Sequence, residues 1–556
     1  MLNICEIFCK FAVKKTNILI LKLLNLPVLK PMKTKMLFAL SALGTTTVMA
    51  IHTEKPNILV IVCEDISPYL TCYGDPVAVS PTIDRLAEKG IRHTNMRTTV
   101  GVSAPSRYAL ITGRYPSVDG ANYMRVTTKD PTFEVVPPNG VRCYTEYLRE
   151  AGYYCTNNSK TDYQFVPPLA AWDENGNQAH WKNAPDDQPF FAIFNINTTH
   201  ESQLWENHNE PLEVDPKKIP LPPYYPDVPE IRHGMAVMYS NIARMDRQVQ
   251  AFLDELADSP RASNTIVIFY SDNGGPIPRG KREIMDSGAS VPFIIAFPYG
   301  RNAGTVNHEH NLFVDIPATI LSLVGIKIPS YFHGQAMYGK QKGKPRKYAF
   351  GATDRFDEQI EKRASIRDDR FLYIRNYMPE QSVYRPNTYR RQIPMMQKLE
   401  AMRDAGLLDS IAMLWFTAPA PAEALYDCQQ DPHQITNLAN DPRYAVKLKQ
   451  MRKAFQKEWI DKYNKDWVSQ DEDFFIKRAR PDGIQPVTPN PQAEITKDGY
   501  FVIKNYSNDF TVSYAIGDNK MKIYTRPVKV NKGDKVTYVA GRIGYKNSEK
   551  KTMNSE

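Results

Sequence analysis

Four hard oxygen donors stand in two adjacent pairs. Glu64-Asp65 follows the apolar run NILVIVC, and Asp272-Asn273 follows TIVIFYS. Carboxylates with an amide oxygen suit Ca2+ or Mg2+, whereas Zn2+ takes mainly nitrogen and sulfur. Either pair alone would be an ordinary loop start. A third feature changes their weight: SAPSRYALITGRYP (103–116) opens with a hydroxyl, Ser103, where the chain enters a short helix. Pro105 suits the first turn, and Ala109, Leu110 and Ile111 give a buried side. Arg107 comes four residues after Ser103. A hydroxyl and a cation therefore crowd a helix start whose backbone N–H groups attract anions. With metal-binding oxygens nearby, these are the parts of nucleophilic chemistry on an anion.

Such groups need a frame that gathers distant residues. The runs NILVIVCED (57–65), FFAIFNIN (190–197), TIVIFYSDN (265–273) and VPFIIAFP (291–298) read as buried strands. Helical patterns alternate with them at 81–90, 143–153 and 235–258. The alternation predicts an α/β domain, a mostly parallel sheet sandwiched by helices, over residues 51–345. Ligands in such sheets sit beyond the carboxyl ends of strands, where both acidic pairs fall. Then ASIRDDRFLYIRNY (364–377) alternates like an antiparallel strand pair, and 445–464 reads as an amphipathic helix. A smaller antiparallel α+β subdomain is expected over 346–470. A Pro-rich linker (471–492) leads to a small β module (493–556) of short alternating runs and Gly-Asp turns.

The 556 residues exceed one ordinary domain, and 42% hydrophobic with 24% charged residues is the balance of a folded globular chain. The net charge of +9 misleads. Residues 1–50 hold seven Lys and one Glu, which leaves 63 basic and 60 acidic residues, or +3. That is no nucleic-acid footprint. Residues 1–50 read as an N-terminal extension and signal peptide. MKTKMLFALSALGTTTVMA (32–50) has Lys33 and Lys35, a short apolar run and a small-residue exit at Ala50. The start is expected at Met32 or Met36. The run is too short and Thr-rich for a membrane span, so a periplasmic or secreted protein with no span in its mature form is expected. Cys63, Cys72, Cys143, Cys155 and Cys428 follow no paired spacing, so no disulfide framework or structural zinc site is signalled.

Ser103-Ala104-Pro105-Ser106-Arg107, followed by Leu110-Ile111-Thr112-Gly113-Arg114, resembles the signature of the type I sulfatases: Cys or Ser, any residue, Pro-Ser-Arg, then Thr-Gly. The likeness spans roughly 55–468, through KPNILVIVCED, SPTIDRLAEKGIRHTN, VIFYSDNGG and EALYDCQQDPHQITNLANDP. It implies an alkaline-phosphatase-like fold and a sulfuric ester or sulfamate hydrolase. Ser103 is then the residue oxidised to formylglycine. Glu64, Asp65, Asp272, Asn273 and the modified Ser103 are the implied ligands of Ca2+ or Mg2+. Arg107 would hold the nucleophilic oxygen, and Lys160, His200 and Lys281 would meet the sulfate. His200 would also protonate the leaving group. Ser rather than Cys implies a radical-type maturating enzyme as partner, and so an anaerobic bacterial host. Two positions depart from the pattern. The His expected two residues after Lys160 is Asp162, and the usual Asp-Asp pair is Glu64-Asp65.

Within the family, Ser271–Pro292 looks like the N-sulfoglucosamine sulfohydrolase branch. That implies a sulfated carbohydrate partner of heparan or heparin type, with other sulfated amino sugars and mucin glycans as alternatives. Asp354 and Arg355, in GATDRFDEQ, are the candidates for binding its hydroxyls and carboxylates. The final module resembles the C-terminal β domain of chitobiase-type hexosaminidases, and packing against the core is expected of it before glycan binding. A phosphatase or phosphonate-ester hydrolase of the same superfamily is the competing activity; a two-zinc phosphatase would need His ligands where Asp272-Asn273 stands. An unmodified Ser103 would leave a glycan binder without catalysis.

Overall fold

The computed structural model describes residues 55–126 and 133–556, so the signal peptide expected at 32–50 lies outside the described residues. An unbroken apolar strand has no polar face to offer water and must be covered on both sides. The eight strands of the main sheet, in chain order, are Asn57–Cys63 (β1), Ile91–His93 (β2), Tyr154–Asn158 (β3), Glu174–Asn175 (β4), Phe190–Ile196 (β5), Thr265–Ser271 (β6), Phe293–Ala296 (β7) and Thr305–Asn307 (β8). They lie in the order β4-β3-β5-β1-β6-β7-β2-β8. All seven residues of β1 are buried. Alternate residues point to opposite layers. Ile58, Val60 and Val62 pack with Tyr108 of Ser103–Thr112 (α2) and Leu148 of Tyr144–Glu150 (α3). Leu59 and Ile61 pack with Ile83 of Pro81–Lys89 (α1) and Ile242 of Pro229–Ala257 (α4). Each such side chain contributes about 1.5–3 kcal/mol by leaving water.

Strands β4, β3, β5, β1 and β6 run parallel. Strand β7 reads like them in sequence but pairs antiparallel to β6. A parallel return needs a crossover over one face of the sheet. The connection 272–292 holds only the short helix Asp286–Ala289 and turns back at the same end. That end matters for the site. Cys63 is level with Ser271 of β6 and with Ile196 of β5, so three chains leave the sheet at one height.

Next comes a four-stranded antiparallel sheet of Ala349–Phe356 (β9), Gln359–Arg367 (β10), Phe371–Asn376 (β11) and Glu423–Asp427 (β12). The strand pair read at 364–377 is β10–β11. Residues 445–464 are helical throughout, with π-type bonding from Phe455 onward. Trp459 in this stretch is fully buried, stacks on Phe350 at 4.9 Å and donates to the Gly351 carbonyl at 3.2 Å. It ties the helix to the second sheet. Among the described residues no helix is long and apolar enough to cross a membrane.

The chain ends in two small antiparallel sheets. They are packed on the main domain. Thr511 donates to the buried Glu146 carboxylate of α3 at 2.5 Å, and Arg149 of α3 donates to the Met521 carbonyl at 3.0 Å. Ile543 belongs to the same apolar cluster as Ile58. Removing residues 481–556 should therefore lower the melting temperature of the remainder, measured by differential scanning fluorimetry. An unchanged melting temperature would mark the module as an independent appendage.

Candidate active site

The matched heights of β1 and β6 set their first loop residues side by side. The Glu64 amide donates to the Ile196 carbonyl, and the Asp272 amide to the Cys63 carbonyl, each at 3.1 Å. Carboxylate oxygens of Glu64, Asp65 and Asp272 all lie within 4.8 Å of one another, and all three residues are buried. The Asn273 amide donates to Asp65 at 2.8 Å. Its oxygen accepts the Ser103 hydroxyl at 3.1 Å, while the Glu64 carboxylate lies 3.5 Å from the same hydroxyl.

Ser103 is the first residue of α2, with no side chain capping that helix. Its hydroxyl is spent on the site and not on the helix end. The helix is buried along its whole length, and its positive dipole end lies at Ser103, whose hydroxyl meets Asn273 and Glu64. The approach is tight: a Cβ on Gly101 would run into the Glu283 carbonyl.

Cations answer each carboxylate. Arg107 donates to Glu64, to Asp272 at 3.0 Å and to the Asn195 amide oxygen at 2.7 Å. Lys160 bonds the other Glu64 oxygen. Lys281 bonds Asp65 at 2.6 Å and is itself fully buried. Burial pushes the Glu64 carboxyl up, but Lys160 and Arg107 more than reverse this and hold it well below the usual range. Asp272 moves the other way, raised by burial and by the charge of Glu64. Backbone strain brackets Lys281, since Arg279 and Arg282 take φ of 59° and 79°. These turns send Arg279 toward the His433 and Gln434 carbonyls and Arg282 toward Glu201, leaving Lys281 to face Asp65.

His200 lies just beyond β5, with its Nδ1 3.2 Å from the Ser202 hydroxyl and its ring beside Tyr389. Burial and then Lys281 push its imidazole down to about 4. Asp162 does not stand open in the site but accepts a two-pronged ion pair from Arg125 at 2.6 and 3.0 Å. Asp354 and Arg355 face a different place, a cavity of about 610 Å³ also lined by Tyr123, Lys362 and Glu472. There Asp354 accepts from Trp467 and Arg355 pairs with Glu472, and neither bonds a residue of the Ser103 cluster.

Three participants escaped the reading of the sequence. Glu201 is fully buried, holds Arg282 at 2.8 Å and donates its amide to Asp65 at 2.6 Å. Asn195 orients Arg107, and Arg125 holds Asp162. Asn195 had a legible signal, being a polar residue inside an otherwise apolar strand. Glu201 and Arg125 had none, because burial of a loop charge depends on what packs over it.

The donor set fits a divalent cation. Three carboxylates converge, and the Asn273 amide oxygen meets the Ser103 hydroxyl beside them, all hard oxygen and with no soft ligand among them. The hydroxyl of Ser103 reaches two of these groups, which suits an oxygen nucleophile next to the cation.

Comparison with known proteins gives a consistent result. A family model described as Sulfatase matches residues 56–179 and 174–326. The chain is 41% identical over 542 residues to an ulvan-active sulfatase of Formosa agariphila, covering 89% of this chain and 91% of that one. It is 24% identical over 506 residues to human N-sulphoglucosamine sulphohydrolase, covering 80% and 96%. A solved 2-O GAG sulfatase has the same fold, with a TM-score of 0.56, 20% identity, and coverage of 75% of this chain and 94% of that one.

Adding millimolar Ca2+ or Mg2+ to chelator-treated protein should raise its melting temperature. A cation at a hundred times its dissociation constant adds about 2.7 kcal/mol. Asp272→Asn should shrink that shift, and an equal shift in the variant would place the cation elsewhere.

Proposed function

The chain belongs to the sulfatase family, and on that footing we propose that it removes sulfate from a sulfated polysaccharide through Ser103. The observation behind this reading is the buried Ser103 hydroxyl at the head of α2, bonded to Asn273 among three carboxylates and three cations. Oxidised to formylglycine, Ser103 supplies a hydrate: one hydroxyl takes the sulfo group as the sugar oxygen leaves, and the other reforms the carbonyl and expels sulfate. Ca2+ or Mg2+ held by Glu64, Asp65, Asp272 and Asn273 supplies charge stabilisation to oxygens at that centre.

The chain's own groups do the rest. Arg107, Lys160 and Lys281 bring three positive charges to a site where a sulfate arrives, in surroundings where such contacts are strong. The amides at the start of α2 add donors without side-chain entropy. Burial and then Lys281 keep His200 neutral, but an arriving anion favours its protonated form. It can then deliver a proton to the departing sugar oxygen.

The substrate reading follows the relatives. Identity of 41% to an ulvan-active enzyme, against 24% to the sulphoglucosamine enzyme, favours an ulvan-like polysaccharide over a heparan-type amino sugar. The sulfamate reading stays second, supported by alignment over 96% of that relative. Export to the periplasm or beyond, and maturation by a radical-type enzyme, complete the proposal.

Protein made with a radical-type maturase should carry a Ser103 peptide lighter by a pair of hydrogens, seen by mass spectrometry. It should free sulfate from ulvan oligosaccharides, and Ser103→Ala should abolish this. His200→Ala should lower kcat by about 10²–10⁴ with melting temperature unchanged. An untouched serine with no sulfate release from ulvan or heparan fragments would sink the proposal; faster phosphate-ester cleavage would move it to the phosphatase relatives.

A further inference from the structure

Two aromatic side chains meet beside His200. The Tyr389 ring is centred 6.2 Å from the His200 ring and inclined at 65° to it. Trp205, on the short helix Gln203–Glu206 that follows His200, meets the same tyrosine at 5.1 Å and 78°. Neither neighbour lies flat on Tyr389, and 36% of the tyrosine remains exposed. Trp205 is backed in turn by the apolar cluster that holds Ile196 and Leu204. The half-open ring therefore rests on a packed support.

The turn that carries Tyr389 is fastened on both sides of it. Asn387 donates to the Asp357 carboxylate at 2.8 Å, and the Thr388 amide donates to Glu358 at 2.5 Å. The buried Arg390 donates to the Lys281 carbonyl at 3.0 Å and lies over the Trp415 ring. Burial raises the Tyr389 phenol, and the charges that act on it are those of Lys281, Glu201, Asp65 and Arg282. All four belong to the wall of the site, so the tyrosine stands on that side of its turn. A rigid aromatic on a fixed turn offers contact area at little cost in entropy.

In the proposed reaction His200 protonates the departing sugar oxygen, so that sugar must lie within hydrogen-bond reach of the imidazole. Tyr389 is the ring next to that position. A sugar presents C–H groups on its faces, and their positive hydrogens suit the negative face of an aromatic ring. We propose that Tyr389, braced by Trp205, is the platform on which the sugar losing its sulfate stacks, with its departing oxygen held against His200. The inference rests on the sulfatase reading and adds a specificity-determining residue and its positioning partner.

The test uses the sulfated oligosaccharide, of ulvan or of heparan, that the matured wild type desulfates faster. Inorganic sulfate serves as a competing ligand with no sugar ring. Tyr389→Ala should raise KM for the oligosaccharide about tenfold and lower kcat less, while inhibition by inorganic sulfate keeps its strength. Tyr389→Leu, which leaves bulk over Trp205 but no aromatic face, should behave like Tyr389→Ala. Tyr389→Phe, which keeps the ring, should raise KM far less, and Trp205→Leu should fall between. An unchanged KM in Tyr389→Ala overturns the inference. So does a Tyr389→Leu variant that matches Tyr389→Phe, or a loss of sulfate inhibition as large as the rise in KM, which would make Tyr389 a prop for the sulfate pocket. A wild-type enzyme that frees sulfate from neither oligosaccharide overturns the sulfatase reading and this inference with it.

Discussion

Three carboxylates buried at the carboxyl end of a sheet repel one another in a medium that screens poorly. Glu64, Asp65 and Asp272 are forced into this position because β1 and β6 end level with each other. The protein compensates with Arg107, Lys160 and Lys281, one from a helix start and two from loops. Such a set is stable only when complete. Removing one partner of a buried ion pair costs about 3–5 kcal/mol, since the other is left uncompensated. In the proposed function the same six charges would serve the ligands, with carboxylates for a cation and cations for an anion. Fold stability and chemistry thus draw on one arrangement.

Holding Lys281 in that arrangement takes unusual backbone. Its loop returns from β6 without a crossover, turns left-handed at Arg279 and Arg282, and presses on Gly101. Glu201 then locks Arg282, and its own amide locks Asp65. The strain is offset because Arg279, Lys281 and Arg282 are each bonded to a carbonyl or carboxylate outside the loop. The antiparallel turn of β7 has the same origin: the segment is devoted to lining the site and not to crossing the sheet.

The second sheet contributes at its margin. Its first hairpin brings Phe356 into one apolar cluster with Val102 and Ala104, which flank Ser103, and Asp357 to Arg282, so the smaller subdomain completes the wall of a site built mostly by the larger one. The terminal module, docked through Thr511 on Glu146, stays on the α3 side and supports the edge of the main domain.

Much of this was legible in the chain alone. Apolar runs ending in Glu64-Asp65 and Asp272-Asn273 are local facts, and so is a hydroxyl at a helix start beside Pro105 and Arg107. Burial of unbroken apolar strands follows from hydrophobic pattern, and that pattern survives any tertiary detail. What pairs with what does not. The bonding of Lys281 to Asp65, the capture of Asp162 by Arg125, the burial of Glu201 and the removal of Asp354 to another cavity depend on residues tens to hundreds of positions apart. Side-chain type announces which groups can do chemistry. Only the packed fold decides which charges face one another, because Coulomb energy and desolvation depend on distance and burial, and neither is written along the chain.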